Sequence, residues 1–169
     1  MFFYSSSAKF KHKLTIIPLR KRPQALEQAA IWAESEWGYL RVSEEDPQGI
    51  GIEERKAKIN NMIDDFYMVY YGNTLVGMFS LSDIMILDEN KKKLSYFYVV
   101  ESMRDFGIGG QMLERAKKIA KAQGSDMVVL DTLKPRLNHF YEKHGAKVVS
   151  DFENLEFNAP MSALRINCK

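Results

Sequence analysis

The sequence predicts an α/β (α+β) chain: one mixed sheet with helices on both faces. Three observations predict it. Short runs of β-branched and aromatic residues, parted by turn signals at Gly72-Asn73-Thr74 and Asp88–Lys93, read as hairpins in the first half. Strands alternate with helical patterns in the second half, as βα units do. Between them the run Leu94–Val100 passes straight through a glycine-rich turn into a helix of period 3.6. The element order reads β, α, α, β, β, β, α, β, α, β, β.

In chain order, residues 1–12 form a tail expected to be poorly ordered, polar and basic from Ser5 to Lys13, with His12 a solvated side chain. One domain is expected over 13–169. Leu14–Leu19 reads as a strand that Pro18 keeps short or at an edge. Pro23 suits the first turn of a helix whose apolar face is Leu26, Ala29, Ala30, Ala33 and Trp37. A loop over Gly38–Gly51 leads to a helix at Glu53–Met62, expected to bury Ile52, Ala57, Ile59 and Met62. Phe66–Tyr71 and Leu75–Leu81 pair as a hairpin. Asp88–Lys93 reads as a solvated polar hairpin tip before the strand Leu94–Val100. Met127–Thr132 is a buried-looking strand, Leu133–His144 holds a short helix, and Ala146–Val149 is a strand. A last strand, interrupted by Pro160, lies within Phe152–Ile166.

Composition narrows the function. Of 169 residues, 46% are hydrophobic and 27% charged, as in ordinary globular proteins. A net charge of +2 gives no footing for nucleic acid or a membrane surface. The lone cysteine, Cys168, excludes a disulfide framework and a cysteine metal site, and no cluster has metal-ligand spacing, so no metal is expected. With neither a signal h-region nor a membrane-length apolar run, a cytoplasmic location is expected.

The chemistry concentrates at Arg104–Gly110. From Gly107 onward Ile108, Met112, Leu113, Ala116, Ile119 and Ala120 share one helical face, and Gly124 stands at the C-terminal cap. The first turn of such a helix presents backbone N–H groups without intrahelical acceptors, and the macrodipole adds positive potential. Gly107, Gly109 and Gly110 let an anion approach the backbone, and Arg104 adds a charge. The expected guest is a phosphate or pyrophosphate. Neither a P-loop nor a G-x-G-x-x-G fingerprint fits: no Lys-Ser/Thr follows, and Met112 stands where the third glycine belongs.

What fits is R-x-x-G-x-G at Arg104, Gly107 and Gly109, with Phe140-Tyr141-Glu142-Lys143-His144-Gly145 downstream. The first resembles the pyrophosphate motif, and the second the F-Y-E-K-x-G box, of the GNAT superfamily of acyl-CoA-dependent N-acyltransferases. The resemblance spans roughly Leu14 to Val149 and includes Leu75-Val76-Gly77, similar to an x-V-G step, and Glu36-Trp37-Gly38-Tyr39, similar to a variant in one branch. It implies a mostly antiparallel sheet splayed at the CoA cleft, and an acetyl-CoA cosubstrate. The resemblance implies that the backbone at Val99 and Val100 holds the pantetheine arm and polarises the acetyl carbonyl. Arg104, Asp105, Phe106, Gly107, Ile108, Gly109 and Gly110 would wrap the pyrophosphate, with Gly107 and Gly109 tolerating no side chain. Tyr141 would protonate the departing thiolate. Phe140 would pack in the core, and His139 and His144 would lie at the surface. An asparagine that touches the CoA arm in many members is Lys134 here; Asn138, one turn before Tyr141, is its substitute. Ala146 replaces a phenylalanine of the box. Asp83, Glu101, Tyr96 and Tyr98 are candidate general bases. The implied reaction is acetyl transfer to a primary amine, small molecule or peptide, in a ternary complex; the other reading is a non-catalytic acyl-CoA-binding module. A homodimer is the other partnership considered.

Overall fold

The computed structural model describes residues 13–41, 50–133, 135–154 and 159–168. The tail with His12, most of the loop between the first two helices, and Lys134 lie outside the described residues. The elements follow the expected order: β1 (Leu14–Pro18), α1 (Leu26–Trp37), α2 (Gly51–Asn61), β2 (Phe66–Tyr71), β3 (Thr74–Ile86), β4 (Glu89–Val99), α3 (Ile108–Ala122), β5 (Met127–Thr132), α4 (Pro135–Lys143), β6 (Lys147–Asn154) and β7 (Ala159–Asn167). They build one seven-stranded sheet in the order β1-β2-β3-β4-β5-β7-β6. Every described pairing is antiparallel except β4 with β5. Pro18 sits on an edge strand, where its missing N–H costs nothing.

Period-two alternation sends β2 into two cores. Phe66 and Met68 join Ala29, Ala30, Ala33 and Ile59 under α1 and α2. Tyr67 and Val69 join Phe79, Met112, Leu113 and Ala116 under α3. Both faces are covered, which is why the strand is apolar throughout. In α2 the expected face is off by two positions: Ala57 is exposed and Arg55 is buried. Position 55 continues the stripe of Ile52, Ile59 and Met62 at spacings of three and four, whereas position 57 faces outward.

The hairpin of β3 and β4 is longer than the sequence suggests. Its turn is the two residues Leu87 and Asp88, both at positive φ (50° and 64°), the geometry of tight hairpins. Glu89–Lys93 is therefore strand, not a solvated tip. Lys91 meets Glu89 and Asp126, each at 2.6 Å; Lys92 meets Asp83 at 2.7 Å; Lys93 meets Asp131 at 3.3 Å. These ion pairs join β4 to β3, to β5 and to the turn before β5, and Lys91 and Lys92 are buried beneath them. The strand expected at Ala146–Val149 runs on to Asn154 as β6, and the last strand, β7, starts at Ala159, pairs with β6 and carries Pro160 in register with Glu153.

β4 then leaves β5. The parallel ladder holds only at Lys92 with Val128 and Lys93 with Val129. Beyond it, Met78 pairs with Tyr98 but Ser80 pairs with Ser95, so Tyr96 and Phe97 together oppose Phe79. That is a β-bulge, and Tyr96 takes φ of 53° within it. A bulge bends its strand and sharpens the twist. The bend and the end of the ladder fall together, and the sheet splays there.

Candidate active site

The splay holds a cavity of about 430 Å³. Its walls include Tyr96 and Phe97 of β4, Leu130–Thr132 of β5, Leu137 and Tyr141 of α4, and Trp37, Leu40 and Arg55 from the α1–α2 side. Two residues beyond the part of β4 that lines it, strand geometry sets the direction of the backbone groups. Val100 N–H donates to Val76 C=O at 2.8 Å, and Val99 is in register with Gly77. Bonded and non-bonded pairs alternate along an antiparallel ladder. Val76–Val100 is a bonded pair, so the N–H and C=O of Val99 point away from β3, toward the side of β5. The amide of Val100 is spent inside the sheet; the amide of Val99 is the one aimed at the cleft.

Chain direction reverses between β4 and α3 through two left-handed residues. Asp105 has φ of 67° and Gly107, the N-cap of α3, φ of 82°. An asparagine or aspartate tolerates that region better than most side chains. Gly107 C=O accepts the first helical bond, from Gln111 N–H at 3.2 Å, leaving the amides of the first turn directed outward. Asp105 and Phe106 are exposed, and the side chain of Ile108 is buried in the α3 core. The two adjacent glycines differ. A Cβ on Gly110 would lie 2.8 Å from the His144 ring. A Cβ on Gly109 would meet Phe140 at 3.4 Å and Val99 at 3.8 Å, ordinary contacts. A methyl group at 110 would have to displace the end of the His144 side chain, whereas alanine fits at 109. His144 is accordingly half-buried against Phe140, at 4.9 Å between ring centroids, rather than a surface group.

Arg104 is engaged on the α1 side. Its Nε–H donates to Val99 C=O at 2.8 Å, Nη2 lies 3.7 Å from Glu36, and the guanidinium sits 5.3 Å from the centre of the Tyr98 ring. It ties the loop back onto the end of β4.

Tyr141 is 7% exposed and lines the cavity, with Phe97 and Phe140 edge-on at 6.1 and 5.0 Å. Burial pushes its phenol far above the ordinary tyrosine value, so the group stays neutral and protonated. Phe140 touches the ring of Phe97 and the position of Gly109, so the two sequence motifs meet there. Asn138 joins α4 to its neighbours. Its Oδ1 accepts from Thr132 Oγ1 and its Nδ2 donates to Ser162 Oγ at 2.9 Å, which in turn donates to Asp151 at 2.6 Å. Each end of the carboxamide makes one bond, and together they tie α4 to β5 and, through Ser162, to β7 and β6.

A family model described as the acetyltransferase (GNAT) family matches residues 26–146. The chain belongs to the GNAT acetyltransferase family. Solved GNAT structures share its fold. An aminoglycoside 6'-N-acetyltransferase complexed with coenzyme A has a TM-score of 0.71 at 17% identity, covering 93% of this chain and 97% of that one. A chimera of spermidine N-acetyltransferase SpeG from Vibrio cholerae has 0.69 at 15%, covering 92% and 95%. The PaiA N-acetyltransferase from Thermoplasma acidophilum, in complex with coenzyme A, has 0.65 at 22%, covering 92% and 99%. No curated protein sequence matches the chain. Among the described residues no helix is long and apolar enough to cross a membrane.

The GNAT cleft separates the four candidate bases. Asp83 is ion-paired with Lys92 at the hairpin and takes no part in the cavity wall. Glu101 is exposed in the turn after β4. Tyr98 is packed against Trp32 and Trp37, and burial raises its phenol despite Arg104 beside it. Tyr96 alone of the four lines the cavity. Its hydroxyl accepts from Arg55 Nη1 at 3.0 Å. Arg55 is the cavity residue the sequence reading passes over. The signal was present: a charge inside the apolar stripe of α2. The bulge at Tyr96 had no such signal, since tyrosine is an ordinary strand residue.

Proposed function

We propose that this chain is an N-acetyltransferase that moves an acetyl group from acetyl-CoA to a primary amine in a ternary complex. The observation that carries the reading is the contact between the two sequence motifs beside the cavity. The open N-terminus of α3, the outward amide of Val99 and the buried phenol of Tyr141 adjoin one another through Gly109 and Phe140.

The residues fit the cosubstrate. Glycine at 109 is not demanded by packing, which leaves the close approach of an anion as its reason. The first-turn amides of α3 would hold the pyrophosphate, and the backbone edge of Val99 the pantetheine arm. Acetyl-CoA supplies the acyl carbonyl and a thiolate leaving group. In the transfer the amine nitrogen bonds to that carbonyl carbon, the carbon–sulfur bond breaks, the sulfur takes its proton from Tyr141, and the nitrogen releases one proton to solvent, from which Tyr141 regains its own. Val99 N–H is aimed where the carbonyl oxygen gains charge, a contribution often worth about 3 kcal/mol. Tyr141, neutral because it is buried, donates to the sulfur. Arg104 keeps the end of β4 and the loop in one arrangement by its bond to Val99. The amine enters from the side of Trp37, Leu40 and Tyr96.

Thiol release from acetyl-CoA, measured with a panel of primary amines, tests the reading. Amine-dependent release supports it. Tight acetyl-CoA binding with no release for any amine would leave only the binding-module reading.

A further inference from the structure

We propose that Arg55 reads a carboxylate on the acceptor, so that the amine acetylated by this chain is one that also carries an acid group, of the amino-acid type. The proposal rests on the acetyltransferase reading of the cleft and names its substrate class.

Arg55 is 5% exposed yet forms part of the cavity wall. Its Nε–H donates to Glu34 Oε1 at 2.7 Å and its Nη1 to the hydroxyl of Tyr96 at 3.0 Å. These two bonds fix the plane of the group from both sides: one partner comes from α1, the other from the bulge of β4. A guanidinium has five N–H donors in a rigid fork, and the two bonds account for two. Fixed in plane and desolvated, such a fork is suited to bidentate recognition of a carboxylate. Burial works against the charge, but the bonds to Glu34 and Tyr96 outweigh it, and the guanidinium keeps its proton. A role confined to joining α1 and α2 explains this less well, because a buried ion pair is a poor stabiliser compared with apolar side chains of similar size.

The rest of the wall agrees. Trp37, Leu40 and Tyr96 supply an apolar body for the acceptor beside Arg55. Among the described residues lining the cavity, the one carboxylate is Asp131, and it is paired with Lys93 at 3.3 Å. Both charges on that wall are paired, Asp131 with Lys93 and Arg55 with Glu34, so the preference for an acid rests on the N–H donors that these bonds leave on Arg55.

The test compares α-amino acids with their own carboxamides, with spermidine as a cationic control. Turnover is read by thiol release from acetyl-CoA. Binding is read separately, by calorimetry on the full chain saturated with CoA. The expected result is at least about a tenfold preference for the acid over its amide in one or more pairs. Arg55→Lys should raise KM for that acid by about tenfold more than it raises KM for the amide, and keep the CoA-induced rise in Tm. The acid–amide comparison in the unaltered chain stands even if the variant folds poorly. Equal or better use of amides or spermidine would overturn the proposal and leave the acetyltransferase reading standing. Failure of every amino acid to bind or react would also overturn it. Acids that bind in an Arg55-dependent way without thiol release would sustain the proposal and remove the catalytic reading.

Discussion

The two halves of β4 use one strand for opposite ends. From Glu89 to Lys93 it is clamped: paired with β3 in regular register, with β5 through two positions, and with carboxylates through three successive lysines. From Tyr96 to Val99 it is bulged, freed from β5, and lined by the cavity at Tyr96 and Phe97. Continuous pairing satisfies the backbone and leaves no room. Interrupted pairing leaves the amide of Val99 turned away from β3, beyond the end of the β4–β5 ladder. The clamp is what allows the splay to open at a fixed place, because the strands are pinned just before it.

The comparison is sharpened by substitutions that act on one half alone. The largest effect belongs to the open half. Tyr141→Phe keeps the ring packed against Phe97 and Phe140 but removes the proton donor. We expect kcat to fall by about 100-fold or more, with acetyl-CoA affinity nearly unchanged. Steady-state kinetics beside calorimetry check it, and full activity in the variant would remove Tyr141 from the chemistry.

A smaller effect is expected where a side chain would meet packing rather than a ligand. Gly110→Ala pushes a methyl group into the ring of His144. The loss should be on the order of 1 kcal/mol of stability, read from denaturant midpoints. A variant as stable as the parent would show that His144 simply turns aside.

The smallest effect lies in the clamped half and depends on pH. Hydrogen bonds from Lys92 and then Asn90 hold the Asp83 carboxyl below its ordinary range. A carboxyl depressed in the folded state stabilises the fold above its unfolded pKa, near 4 for an aspartate. That contribution is lost as pH falls through the folded value. Because Asp83 is largely exposed, the contribution is no more than about 1 kcal/mol. The parent should lose slightly more stability than Asp83→Asn between pH 6 and pH 2.5, and thiol release at neutral pH should match in the two. Reduced turnover in Asp83→Asn would mean that the clamp reaches the site.

The contrast also explains what the sequence could tell. Element order and the α3 loop were legible because they rest on local signals: the apolar stripe of Ile108, Met112, Leu113 and Ala116, the glycines, and the Phe140-Tyr141 pair. The clamp was misread because Glu89–Lys93 is polar, and only tertiary contacts with Asp83, Asp126 and Asp131 make those lysines strand residues. The bonds of Asn138 were not legible for the same reason, since Ser162 and Asp151 lie far along the chain. The bulge at Tyr96 is set by the register between two strands, which no single segment encodes.

The central claim is that the open half of the molecule, with the N-terminus of α3, holds acetyl-CoA. It is tested most directly by the thermal unfolding of the parent chain and of Gly109→Asp across an acetyl-CoA titration. A carboxylate at 109 repels a pyrophosphate, while its Cβ meets nothing closer than Phe140 at 3.4 Å, so the fold should persist. A ligand that binds only the folded state adds about 2.7 kcal/mol at 100 times Kd. We predict a rise in Tm of several degrees for the parent and none for the variant, with equal Tm values in the absence of ligand. No rise for the parent at millimolar acetyl-CoA, or an equal rise in Gly109→Asp, would contradict the account.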